Sequence, residues 1–194
     1  MDWDVDLISG PDGDDWRVPV TELQKRQRRL SKSLASHGIE SALIDDPVEL
    51  YWLTGGRQNG ILLIGADGTG IDTTHWVRRS LRRALFESGG SDCPHDTMLQ
   101  PRMGALEDSL VERGCSTKPA MLSGKIPAER LSFINSKIGS LNGEIENCTS
   151  LLYGLREVKS EWEISMHRES GVINRKMFEA VEEAGSAEAR LRRY

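Results

Sequence analysis

The stretch "GILLIGADGTGIDTT", residues 60–74, restricts the fold more than any other part of the chain. Two runs that suit strands, "GILLIG" and "TGIDTT", flank Ala66-Asp67-Gly68, and an Asp-Gly bridge between such runs is a strong hairpin signal. A hairpin makes its two strands antiparallel neighbours. Any sheet built here must therefore contain an antiparallel pair, however regularly helices alternate with strands elsewhere.

That alternation is clear on both sides of the hairpin. Thr21 and Gln24 have the spacing of a capping box, and Leu23, Leu30 and Leu34 recur near helical period up to His37-Gly38, predicting a first helix with a basic outer face. "IESALID" follows as a short strand closed by Asp45-Asp46-Pro47, and "PVELYWLTGG" as a short helix with Pro near its start and glycines at its end. After the hairpin, Trp76, Val77, Leu81, Leu85 and Phe86 predict an amphipathic helix over 74–88, with Arg78, Arg79, Arg82 and Arg83 turned outward. A polar link leads to a helix around Leu106 to Val111. Then come a strand at "KPAMLSG", a helix from Pro127 to Ile138 and a strand at "GEIENC". The expected architecture is α/β, a three-layer sandwich around a mixed sheet. Past Ser150 the pattern changes to one long helix. Ser160 and Glu163 have capping-box spacing there, and Trp162, Met166, Ile173, Met177 and Val181 form one apolar stripe that needs a partner surface. A cofactor role for the stripe's methionines is not expected.

Charge and composition narrow the functional classes. A net charge of −5 in 194 residues offers no basic field for nucleic acid. Cys93, Cys115 and Cys148 are widely spaced and read as free thiols of a reducing compartment rather than as a metal or redox motif. No apolar run reaches membrane-spanning length, and the start "MDWDVDLISG" is acidic where a signal peptide would be basic, so the expectation is a cytoplasmic protein without a membrane partner. Asp2, Asp4 and Asp6 alternate like calcium ligands, but Leu7 and Gly13 stand where the turn glycine and the closing Glu are needed, leaving a solvated leader that can lend Trp3 or Trp16 to packing.

Three segments together carry a family resemblance. "LLYGLREVKSEWEISMHRESGVINRKMFEAVEEAG" resembles the junction of the creatinase/prolidase/aminopeptidase P family, where an Arg, a Val-Lys-Ser and a Glu-Ile open the first helix of the pita-bread metallopeptidase domain. "VELYWLTGGRQNGILLIGADG" is similar to that family's amino-terminal domain, and "RQRRLSKSLASHGIESALIDDP" fits its register. The resemblance runs from Val18 to Gly185. Beyond the acidic leader over 1–17, it implies a creatinase-like, ribonuclease H-like amino-terminal domain over 18–154, and over 155–194 a linker and the first helix of a truncated peptidase domain.

What the resemblance implies about activity follows from that division. Family members use a dinuclear divalent metal centre, such as manganese, cobalt or zinc, held by two Asp, one His and two Glu of the carboxyl-terminal domain. None of those ligand motifs precedes Tyr194, so no cofactor is expected in this chain, and it is expected to be inactive alone. A full-length parent would act on a peptide or small carboxylate substrate, with this domain serving homodimer formation and the substrate entrance.

Two residues are then candidates for substrate binding in trans. Arg57 of "LTGGRQNG" corresponds to a Gly-Arg-x-x-Gly segment that, in the creatinase branch, approaches the partner subunit's site, where a guanidinium can grip a carboxylate by two parallel hydrogen bonds. Trp52 corresponds to an aromatic that lines the partner's site in aminopeptidase P relatives, although the ordinary reading of Tyr51 and Trp52 is core packing. His75, read as lying at a helix start, has no partner at catalytic spacing, and His95 in "CPH" forms too sparse a thiol-imidazole pair for a metal. A reading of another class is a stand-alone signalling module. Asp45-Asp46 and Lys125 end two strands as in a receiver domain, but no central phosphoacceptor Asp follows.

Overall fold

The computed structural model describes residues 15–191, with side chains to residue 185. Asp2, Asp4, Asp6 and Trp3 lie outside the described residues, and Trp16 is half-buried. The chain divides after Leu155 into two compact units.

The first unit is built on a five-stranded sheet in the order β4-β3-β2-β1-β5. Its strands are β1 (Ser41–Ile44), β2 (Gly60–Gly65), β3 (Thr74–Val77), β4 (Asp96–Leu99) and β5 (Ala120–Met121). β2 is antiparallel to both β1 and β3, while β5 runs parallel to β1 and β4 parallel to β3. The sheet is therefore mixed, with β2 the one reversed strand. The helices in chain order are α1 (Val20–Ser36), α2 (Pro47–Thr54), α3 (Leu81–Glu87), α4 (Leu106–Glu112), α5 (Ala128–Lys137), α6 (Thr149–Glu157) and α7 (Glu161–Leu191).

Strand alternation sorts the core into two layers of side chains. Ala42, Ile44, Leu62 and Ile64 meet Leu30 and Leu34 of α1, Leu50, Trp52 and Leu53 of α2, and Leu152 of α6. On the other face Leu43, Ile61, Leu63 and Met121 meet Leu106 and Leu110 of α4 and Ile134 and Ile138 near the end of α5. β1 and β2 are buried at every position because both faces are covered, which is why they read as continuous apolar runs.

Several elements differ from their sequence reading. α1 starts at Val20 behind Pro19 without a side-chain cap, so Thr21 and Gln24 form no capping box. The hairpin pairs β2 with Thr74–Val77, so that of "TGIDTT" only Thr74 lies in the strand. After the Asp67-Gly68 turn the chain crosses beside Gly65, where an added Cβ would strike Ile71, and Ile71 itself enters the core. Residues 74–77 are consequently strand, and only 81–87 are helix. Trp76 and Val77 fell on a helical stripe by spacing, yet a Thr-His-Trp-Val run suits a pleated strand buried on both faces. β4 replaces part of the polar link, and α6 stands within the junction. "GEIENC" forms no strand: it bridges β5 at Met121–Asn147, Asn142 just before it bridges Thr117, and Ile145 and Cys148 pack against the two core layers.

In the second unit, the capping box of α7 is present in both directions. The Ser160 N–H donates to Glu163 Oε2 at 2.8 Å, and the Glu163 N–H donates to Ser160 Oγ at 3.2 Å. Ile173, Met177, Phe178 and Val181 are exposed along this helix.

Candidate functional site

The site is the turn between α2 and β2, residues 55–59. α2 is only one helix of 8 residues, so its ends decide its stability. Asp46 caps the start, accepting the N–H groups of Val48 at 2.9 Å and Glu49 at 3.1 Å. At the other end, side chains of α1 satisfy the last carbonyls. Arg26 Nη1 donates to the Trp52 carbonyl and Gln27 Nε2 to the Leu53 carbonyl, each at 2.9 Å. Gly55 then closes the helix at φ 72°, a left-handed conformation that a side chain disfavours.

The turn that follows is held from below by one buried carboxylate. Glu87, at the end of α3, accepts the Arg57 N–H at 2.9 Å on Oε2 and is flanked by Gln58 Nε2 at 3.3 Å and Arg83 Nε at 2.8 Å. Gly56 and Gly60 allow this close approach: an added Cβ at Gly56 would press on Glu87 Oε2, and one at Gly60 would collide with the Trp76 carbonyl. The backbone of Arg57 is thus fixed while its side chain is exposed. Trp52 sits beneath, 5% exposed, within the core and under the Arg26 guanidinium at 5.3 Å. Arg26 also pairs with Glu22 at 2.9 Å and is itself buried, so the basic face of α1 is not wholly outward.

Behind the turn lie two histidines far apart in sequence. His75 is on β3 rather than at a helix start, and its ring lies 5.9 Å from that of His95. Gln27 Nε2 lies 3.0 Å from His95 Nδ1, whereas neither ring nitrogen of His75 has a hydrogen-bond partner among the described residues. Burial lowers the pKa of His75 to about 4, against a small upward pull from Glu87. Burial, and then His75, lower that of His95 to about 3. Both rings are neutral at physiological pH. Glu87, Gln58 and Gln27 were not found by sequence reasoning, since a lone Glu at a helix end and two scattered Gln carry no motif.

The residues of the receiver-like reading are brought together but used structurally. Lys125 Nζ is 2.8 Å from Glu49 and 3.7 Å from Asp46, which is already the cap of α2, while Asp45 lies 3.6 Å from Arg130. A receiver needs a parallel, doubly wound sheet, and the reversed β2 excludes it. Cys93, Cys115 and Cys148 are free thiols. Among the described residues no group of three or more His, Cys, Asp or Glu side chains could hold a metal ion, so none fits the metal pair expected of a full-length parent. Nor is any helix among them long and apolar enough to cross a membrane.

Comparison with solved structures returned peptidases. An Xaa-Pro dipeptidase from Bacillus anthracis matches with a TM-score of 0.60 at 16% identity, over 74% of this chain and 38% of that one. The dipeptidase PepE from Mycobacterium ulcerans matches with a TM-score of 0.60 at 21% identity, over 77% and 40%. The N-terminal domain of the cytoplasmic peptidase PepQ from Mycobacterium tuberculosis matches with a TM-score of 0.56 at 20% identity, over 68% of this chain and 98% of that domain. At these identities the likeness is one of fold, and the chain spans about two fifths of the length of the two dipeptidases. Comparison with curated proteins returned no match. The family model of the creatinase/prolidase N-terminal domain matches residues 26–158, all five strands and the turn at Arg57 included, and the chain belongs to that family.

Proposed function

We propose that this chain acts as the amino-terminal domain of an Xaa-Pro peptidase-like metallohydrolase of the aminopeptidase P, prolidase and creatinase group, forming a homodimer and shaping the substrate entrance in the cytoplasm. The observation that carries the reading is the state of Arg57: an exposed guanidinium on a backbone fixed by the buried Glu87. Such an arrangement suits a residue that must reach outside its own domain. Fixing the backbone lowers the entropy lost when the side chain grips a carboxylate, and the fork supplies two parallel charge-assisted bonds. Trp52 would act from beneath, as the core residue on which the last turn of α2 rests, and the metal pair would come from a catalytic domain.

Sedimentation and kinetics test this together. The chain sediments as a dimer, and alone it does not hydrolyse an Xaa-Pro dipeptide in the presence of manganese, cobalt or zinc. In a full-length enzyme carrying this domain, Arg57→Ala lowers kcat/KM by at least about tenfold, the equivalent of roughly 1.4 kcal/mol. A monomer at all concentrations, together with unchanged kinetics in the variant, would overturn the proposal.

A further inference from the structure

The strand directions gather three loops at one end of the sheet. Gly60 of β2 and Leu99 of β4 both stand opposite Val77 of β3. The Arg78 N–H donates to the Asn59 carbonyl at 2.9 Å, and the Gln100 N–H donates to the Val77 carbonyl at 2.8 Å. The turn before β2, the loop after β3 and the loop after β4 therefore lie side by side. They carry Arg57, Arg78, Arg79 and Arg102, all exposed. None of these four guanidiniums is in an ion pair among the described residues.

The carboxylates at this end are already engaged. Glu87 is buried under the turn and against Arg83, Asp45 lies by Arg130, and Asp46 and Glu49 lie by Lys125. A positive surface is thus left over β2, β3 and β4 in a chain of net charge −5. We propose that this end of the sheet is a docking surface for an acidic peptide segment of a partner protein. This goes beyond the role given to Arg57, because Arg78, Arg79 and Arg102 have no part in it, and it stands if that role fails.

The spread of the charges selects the ligand. Adjacent strands are about 4.8 Å apart, so the loops of three strands extend over roughly 10 Å, more than one carboxylate or phosphate can bridge. Several anionic groups along an extended chain match that span. The arginines are exposed rather than recessed, as suits a macromolecule better than a small molecule. A single-stranded nucleic acid would want a series of exposed rings to stack on, but Trp76 and Trp52 are buried at 2% and 5% exposure, and of the α2 aromatics Tyr51 alone is exposed. Leu99, 60% exposed on the edge strand β4, offers an apolar foothold beside the charges, and an edge strand is a natural track for an extended segment.

The test is a titration of the full chain with a fluorescently labelled hexaglutamate peptide at about 50 mM and about 250 mM salt, the two chosen to vary charge screening. Saturable binding is expected at low salt, weakened at least about tenfold at the higher salt or by R78Q/R79Q/R102Q. A matched variant on the exposed face of α1, K25Q/R28Q/K32Q, is expected to bind as the wild type does, and both variants are expected to melt at the wild-type temperature. No binding at low salt, or equal losses in the two variants, would overturn the proposal. Tighter binding of a single-stranded oligonucleotide of equal charge would assign the surface to nucleic acid instead. Residues 1–14 carry Asp2, Asp4, Asp6, Asp12 and Asp14; binding seen only after their removal would point to the chain's own segment, not a partner's, and overturn the proposal as well.

Discussion

Glu87 Oε2 accepts the backbone N–H of Arg57 at 2.9 Å across a sequence separation of 30 residues, so the end of α3 holds the turn that opens β2. The carboxylate is 4% exposed and has further donors in Arg83 and Gln58. Glu87→Ala removes the buried acceptor of the Arg57 N–H and of the Gln58 amide and is expected to cost about 1 to 3 kcal/mol. Urea unfolding measures the loss, and hydrogen exchange at the Arg57 amide should quicken in the same variant.

Arg57→Ala should behave in the opposite way. The side chain is exposed and its backbone bond to Glu87 survives truncation, so stability is expected to stay within about 0.5 kcal/mol of wild type. A thermal melt decides: a large drop would make Arg57 structural and remove the reason for assigning it to substrate.

Acid should unfold the domain through its histidine pair. The folded pKa values of His75 and His95, about 4 and about 3, lie below the ordinary value near 6.5 of an unfolded chain. Between those limits the unfolded state binds more protons, so stability is full above about pH 6.5 and falls as the pH drops. At pH 5 each histidine should have cost roughly 2 kcal/mol. Urea midpoints at pH 7.5 and pH 5 check this. His75→Leu, which removes two unpartnered ring nitrogens, should be near neutral at pH 7.5 and should shrink the difference between the two pH values.

The outer half of α7 should promote self-association. Ile173 is 37% exposed, Met177 62% and Val181 69%, on one helical stripe. Burying each such side chain is worth roughly 1.5 to 3 kcal/mol, which favours a partner surface over water. Sedimentation at rising concentration should show assembly, and Met177→Glu with Val181→Glu should shift the distribution toward smaller species.

Which parts of this molecule were legible follows from where the physics is local. Pro47, Gly55 and the Asp67-Gly68 turn signal through their own backbone preferences, and the Ser160–Glu163 box through a spacing of three, so α2, the reversed β2 and the start of α7 could be read directly. Thr74–Val77 could not, because Trp76 and Val77 belong equally to a helix stripe and to a strand buried on both faces, and only β2 and β4 on either side decide. The exposed arginine was legible as a motif. Its anchor was not: Glu87 becomes a site residue only once α3 folds back against the turn, and His75 meets His95 only after β3 and β4 pair.

β5 has a consequence for the order in which the domain comes apart. It joins β1 through just Ala42–Ala120 and Leu43–Met121, and on its other side the isolated bridge at Asn147 stands in for a strand. β2, by contrast, is paired along both edges over most of its length. Sub-global opening should therefore begin at the β5 margin, with the Met121 amide exchanging ahead of those of Leu62 and Leu63. Released with it would be the segment 139–147, which lacks a ladder of its own, and limited proteolysis of the native protein should make its first cut there while β1, β2 and β3 persist as the slowest-exchanging nucleus.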